Sequence, residues 1–426
     1  MIQILNYEDV EISAVFGRTE ERVEVSDVVS RIIRRVKAEK DRALFELTKQ
    51  YDGAALSSLR VSEAERKEGE QRVDPRFLSV LRQAADNIRS FHSRQVRGSF
   101  IINETDGVVL GQKVLPLDRV GLYVPGGTAA YPSTVLMDAI PAKLAGVREL
   151  AIATPPRPDG SINPVILAAA GIAGVDRIYK LGGAQAIAAL AYGTESIAPV
   201  DKIVGPGNVY VAEAKRQVYG KVAIDMIAGP SEILIVADGA SNPRHVAADL
   251  LSQAEHDRLA SAVLVTDSKP LARRVQQELE VQIPLLRRSG IARESIDANG
   301  KIIVTDSLRQ AIDMANTLAP EHLELMVDAP FDLLSEVRNA GSVFLGRSCP
   351  EALGDYLAGP NHTLPTMGSA RFSSPLSVDD FVKKTQFTYY SADALGRVAG
   401  DVAFFAEQEG LTGHARSALI RVEENA

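Results

Sequence analysis

The chain has 426 residues, 46% of them hydrophobic and 24% charged, which is too long for one ordinary core and implies two or more domains. With 55 acidic against 47 basic residues the net charge is −8 and no basic block is present, which argues against a nucleic-acid surface. Apolar runs fall short of the roughly 18 residues of a membrane span. The opening MIQILNYEDV lacks signal-peptide features, and the single cysteine, Cys349, permits no intrachain disulfide framework. A cytoplasmic protein is expected.

Over residues 1–112 the pattern is charged and helical. Val28, Val29, Ile32, Ile33 and Val36 recur at helical spacing, as do Leu81, Ala84, Ala85, Ile88 and Phe91. An arm and cap is expected here, with nothing catalytic; His92, one residue past the second stripe, reads as structural. From 113 the texture changes. RVGLYV (119–124), ELAIAT (149–154), RIYKL (177–181) and DKIVG (201–205) alternate with alanine-rich stretches such as GGAQAIAALAYG (182–193). A second set begins at about 233 with EILIVAD, then a helix near 243–256, then SAVLVTD and KIIVTD. Strands alternating with helices predict parallel sheets covered on both faces. The expected fold class is α/β, with two adjacent, incomplete Rossmann-like units over 113–232 and 233–375. The N-terminal arm precedes them, and a helical C-terminal tail over 376–426 carries no strand.

Histidine is scarce, with six in all, and four lie within a few residues of a carboxylate or carboxamide. SQAEH offers Gln253 and His256, three apart on a predicted helix and so on one face. That spacing suits two ligands of one metal; equally, His256 could simply occupy the negative end of a helix dipole. GDYLAGPNH, punctuated by glycine and proline, reads as a loop carrying Asp355 and His362. Glu409 and His414 flank Gly410 and Gly413, which predicts a break in the C-terminal helix. Imidazole with carboxylate suits zinc, and also Mn, Co or Fe. LAPEHLEL (318–325) has a plain reading as a helix beginning at Pro320 with Glu321 in its first turn. The other reading is chemical: Glu321 and His322 are two adjacent proton-transfer groups of different basicity.

GLYVPGG (121–127) and GPGN (205–208) each end a predicted strand in glycines, where an open α/β sheet binds ligands. Neither completes G-x-G-x-x-G, and tight turns explain the glycines nearly as well. There is no G-x-S-x-G elbow, and Cys349 has no adjacent histidine, so oxidation beyond an alcohol would need an activated water.

Taken in order, GLYVPGG, LGGAQAIAALAYGTESI, VGPGNVYV, AGPSEILIVAD, DLLSQAEHD, APEHLEL, GDYLAGPNHTLPT and EGLTGHARS closely resemble the histidinol dehydrogenase family, from about residue 25 to 420. The resemblance implies NAD-dependent oxidation of L-histidinol through a bound aldehyde to L-histidine, ending histidine biosynthesis. It implies one zinc per subunit on Gln253, His256, Asp355 and His414, orienting the substrate through its imidazole and amino nitrogens. Glu321 and His322 match the family's acid–base pair. Ser231, His362 and Glu409 match substrate contacts, joined by His322 and the four metal ligands. Tyr123, Gln185 and Asn208 match NAD contacts. It further implies a homodimer in which each tail completes the partner's site. The chain departs from the family pattern at none of these positions.

Overall fold

In the computed structural model, residues 1–16, 18, 25–126, 130–227 and 229–423 are described; Gly127 of GLYVPGG lies outside them. The strands follow the chain as β1 (Gln3–Asn6), β2 (Phe100–Ile102), β3 (Val108–Pro116), β4 (Arg119–Tyr123), β5 (Glu149–Thr154), β6 (Arg177–Lys180) and β7 (Lys202–Val204). They continue as β8 (Ala223–Ile224), β9 (Glu232–Ala237), β10 (Ser261–Thr266), β11 (Lys301–Val304), β12 (His322–Met326), β13 (Ser342–Leu345) and β14 (Val382–Tyr390). Aliphatic runs such as EILIVA become strands buried along their whole length, as a parallel sheet with helices on both faces requires. One sheet has five strands in the order β6-β5-β4-β7-β8 and another six in the order β1-β11-β10-β9-β12-β13, every pair parallel. The expected pair of Rossmann-like units is therefore present.

Two compact units emerge, Met1–Gln95 with Asp118–Phe381 and, separately, the segments 96–117 and 382–426. This division differs from the four expected segments at both ends. The arm is no separate body. Its first strand, β1, extends the six-stranded sheet through β11, and the helix Ser26–Glu39 buries Val29, Ile32, Ile33 and Val36 in one cluster with Ile187 and Leu190. The tail, expected to hold no strand, contains β14, which pairs antiparallel with β3 over nine residues from Val382↔Pro116 to Tyr390↔Val108. VKKTQFTYY gave no apolar alternation because most of this strand is exposed; backbone pairing and its Thr, Phe and Tyr residues hold it. In the same unit the helices Ala392–Gln408 and Thr412–Glu423 pack through Ala403, Ala406 and Ala415, and the expected break falls between them.

In the first unit, the five-stranded sheet reverses its strand order between β4 and β7, and their carboxyl ends meet closely. Gly205, just after β7, has φ +108°, and a Cβ there would fall 2.1 Å from the Tyr123 carbonyl oxygen, so only glycine fits. Asn208 then caps the helix Val209–Val218, its side-chain oxygen accepting from the N–H groups of Tyr210 and Val211.

LAPEHLEL folds otherwise than its plain reading. The helix Leu308–Leu318 ends there, Ala319 turns the chain in the left-handed region at φ +49°, and Pro320 leads into β12 rather than starting a helix. Glu321 and His322 therefore stand at the amino end of a strand paired on both sides, between β9 and β13. At the opposite, carboxyl end of this sheet, Arg347 pairs with both Asp238 and Asp328.

Candidate active site

Strand alternation sorts the side chains of β12. Leu323 and Leu325 enter an apolar cluster with Leu234 and Val236, while His322 and Glu324 take the other face. His322 is 4% exposed, and its Nδ1 lies 2.9 Å from the backbone carbonyl of Glu232. A carbonyl only accepts, so Nδ1 carries the proton and Nε2 is the basic nitrogen. Burial holds the imidazole pKa below its ordinary value, partly countered by the carboxylate of Glu351. The ring is thus neutral near pH 7 and ready to take a proton.

Glu321 Oε2 lies 3.7 Å from His322 Nδ1 and accepts the backbone N–H of Glu232 at 2.9 Å. Burial raises its pKa well above the carboxylate range; that one hydrogen bond opposes the shift, and the nearby carboxylates Glu232, Asp355 and Glu351 add to it. A carboxylate so placed is a stronger base than one in water. Glu232 thus holds both members of the pair through its own peptide groups. Its side chain is fixed in turn by a bidentate pair with Arg18 at 2.7 and 2.8 Å.

Around this pair the structure gathers acids. Glu351 Oε1 stands 3.7 Å from His322 Nε2, and single ligand atoms of His322, Glu351 and Asp355 all lie within 4.8 Å of one another. Burial, with the charge of Glu351 beside it, raises Asp355 to about 8. Glu324 is raised well above its range by burial and by Asp249, itself raised to about 6 mainly by burial. Among the described residues, no Lys or Arg forms an ion pair with any of these acids or with Glu321. Buried carboxylates crowded in this way are costly unless a cation joins them.

Two further features point the same way. Gln253, in the last turn of the helix Pro243–Ala254, is buried with its Oε1 lacking any partner, and Glu351 Oε1 is also without one. The neighbouring Ser252 donates to Glu351 Oε2 at 3.2 Å, which puts this helix end beside the acids. His256 lies past the helix end rather than on it, exposed, and borders one cavity together with Asp355. Asp355 itself sits in a wide π-turn, Gly354–Ala358, where a loop was expected.

The remaining expected residues divide by unit. Ser231 immediately precedes β9. Burial lowers His362 to about 4, and the charges of His322 and His256 push it the same way, so the three imidazoles share a neighbourhood. The adjoining Asn361 and Thr363 anchor that loop, on the Met137 carbonyl at 2.7 Å and on Asp138 at 2.9 Å. Tyr123, Gln185 and Asn208 line one cavity of about 550 Å³ at the strand-order reversal. Tyr123 Oη accepts the N–H of Gly183 at 3.0 Å. Glu409 and His414 belong to the second unit, Glu409 just past the helix Ala392–Gln408 and His414 in the first turn of the helix Thr412–Glu423, and both are exposed. His92, expected to be structural, is buried with Nδ1 2.7 Å from Gln95 Oε1. Glu351, Glu324, Asp249 and Glu232 were not anticipated. Two of them sit as lone acids in otherwise aliphatic strands, and Glu351 stands four residues before Asp355.

A ligand-sized cavity at a strand-order reversal, together with a buried imidazole–carboxylate pair, is the construction of an α/β dehydrogenase. Comparison with known proteins gives the particular family. The histidinol dehydrogenase family model matches residues 17–422. Histidinol dehydrogenase of Syntrophotalea carbinolica is 52% identical over 432 residues, covering 100% of both chains. That of Bacillus cereus is 56% identical over 396 residues, 93% of this chain and 92% of the other. The crystal structure of histidinol dehydrogenase from Elizabethkingia anophelis superimposes with a TM-score of 0.95 at 39% identity, covering 100% of this chain and 99% of that one. The chain belongs to the histidinol dehydrogenase family.

Proposed function

We propose that this chain oxidises L-histidinol through L-histidinaldehyde to L-histidine, the last steps of histidine biosynthesis, as a cytoplasmic, NAD- and zinc-dependent homodimer. The observation that carries the reading is the buried pair at the start of β12, with His322 fixed as a neutral base and Glu321 3.7 Å away. His322 Nε2 takes the hydroxyl proton of the alcohol. Glu321 then takes a proton from the water that adds to the aldehyde, giving the hydrate whose oxidation yields the carboxylate. Ser231 and His362 hold the substrate.

The partnerless Gln253 oxygen, the acids without a cation and the His256–Asp355 cavity fit a divalent metal, which Gln253, His256, Asp355 and His414 would hold. Zinc there would supply a Lewis acid that orients the imidazole and amino nitrogens of the substrate. NAD, held by Tyr123, Gln185 and Asn208, would accept the hydride of each oxidation.

Glu409 and His414 act in the site of a second copy. In support, their unit leaves Ile101, Phe404 and Phe405 at 66% exposure or more, while its buried cluster is three alanines. Apolar surface of that kind calls for a partner, and a two-fold axis lets each tail serve the other subunit. Mixing the zinc-loaded protein with NAD and a panel of primary alcohols tests the substrate. L-Histidinol should exceed every alcohol lacking the imidazole by at least about 100-fold in kcat/KM. Equal turnover of such an alcohol would assign the chain a different substrate.

A further inference from the structure

Asp52 takes no part in the chemistry above, yet it borders the cavity lined by Tyr123, Gln185 and Asn208. Among the described residues lining that space it is the only charged one, the others being apolar, aromatic, glycine or carboxamide. Its backbone N–H closes the last turn of the helix Asp41–Tyr51 on the Thr48 carbonyl, so the side chain projects from a rigid helix end. Oδ1 lies across the backbone of Gly182, where a Cβ would approach it to 3.1 Å. Oδ2 is enclosed and has no hydrogen-bond partner. Burial raises this carboxyl to about 6, so it is mostly ionised at neutral pH.

A shielded carboxylate oxygen without a donor is unfavourable, and it makes sense where a ligand brings the donor. We infer that Asp52 is a cofactor-binding residue, accepting hydrogen bonds from the cis-diol of one ribose of the dinucleotide. The inference rests on the assignment of this cavity to NAD. A diol suits it because two adjacent hydroxyls can each donate to one carboxylate oxygen, whereas the phosphates offer only negative charge. The acid thereby fixes which way the dinucleotide lies: phosphates away from Asp52, a sugar against it. The same carboxylate appears in ordinary dinucleotide folds at the end of a strand in the binding sheet; here it is delivered by a helix outside that sheet.

The test is calorimetric titration of the full-length, zinc-loaded protein with NAD and with two analogues, each lacking the 2′-hydroxyl of one ribose. Asp52→Asn keeps the shape and removes the charge; Asp52→Ser provides a second, smaller variant, and thermal unfolding checks that both fold. For NAD, both variants should raise Kd at least about tenfold, the size of a charge-assisted hydrogen bond. For one of the two analogues the same substitutions should cost clearly less than for NAD, because one of the two donors to the carboxylate is already missing. Which analogue it is identifies the ribose. Asn208→Ala serves as the control for the cavity. If Asn208→Ala weakens NAD while the Asp52 variants bind normally, the cavity stands and the role of Asp52 is refuted. An equal loss for NAD and both analogues would also refute it, making Asp52 merely structural. If Asn208→Ala has no effect either, NAD does not use this cavity and both readings fall.

Discussion

Glu321→Gln is expected to preserve oxidation of the alcohol and to disable oxidation of the aldehyde. The amide oxygen can still accept the Glu232 N–H that the carboxylate accepts at 2.9 Å, so packing at the start of β12 survives. Basicity does not survive, and an amide cannot draw a proton from water. Loss of a positioned general base lowers the affected step by about 10²–10⁴-fold, roughly 3–5 kcal/mol of barrier. Supplying L-histidinol and L-histidinaldehyde separately, and following NADH from each, isolates the two steps. The aldehyde should show the large defect, with the alcohol step slowed about tenfold at most. Equal slowing of both would remove Glu321 from water activation and leave it an orienting group for His322.

The second large effect concerns the tail. Glu321→Ala and His414→Ala should each be nearly inactive alone. Unfolded together, mixed in equal amounts and refolded, they should recover about one quarter of wild-type activity, since half the dimers are mixed and each mixed dimer has one undamaged site. That recovery requires the site to take Glu321 from one subunit and His414 from the other. With both residues drawn from one subunit, every site in every mixed dimer keeps a lesion. Activity remaining at the level of the separate variants, with mixed dimers confirmed by native mass spectrometry, would place the tail in its own subunit's site.

Much of the sheet framework was legible because buried parallel strands write themselves as unbroken aliphatic runs, and RVGLYV and EILIVAD could hardly be anything else. β14 was illegible for the converse reason. VKKTQFTYY is mostly exposed and held by backbone pairing with β3, which leaves no periodic apolar signature. In LAPEHLEL the adjacent carboxyl and imidazole were visible as chemistry but their backbone was ambiguous. The left-handed turn at Ala319 decides it, and no local rule places an alanine there. The spacing of Gln253 and His256 suggested a shared helix face, yet the helix ends at Ala254 and only the first of the two stands on it. Glu351 and Glu232 could not be singled out from among 55 acids. Their importance lies in what the fold sets beside them: His322 for the first, and the peptide groups that hold His322 and Glu321 for the second. Asp52 escaped for a similar reason, since its sequence surroundings, QYDGA, look like any helix end.

That one site carries out both oxidations is best tested by stoichiometry. The zinc-loaded protein is given a limiting, known amount of L-histidinol with excess NAD, and NADH, L-histidinaldehyde and L-histidine are measured as the reaction runs to completion. The expected result is two NADH for each L-histidinol consumed, L-histidine as the sole amino-acid product, and no free aldehyde at any time. One NADH per L-histidinol with aldehyde accumulating, or no NADH at all, would contradict it.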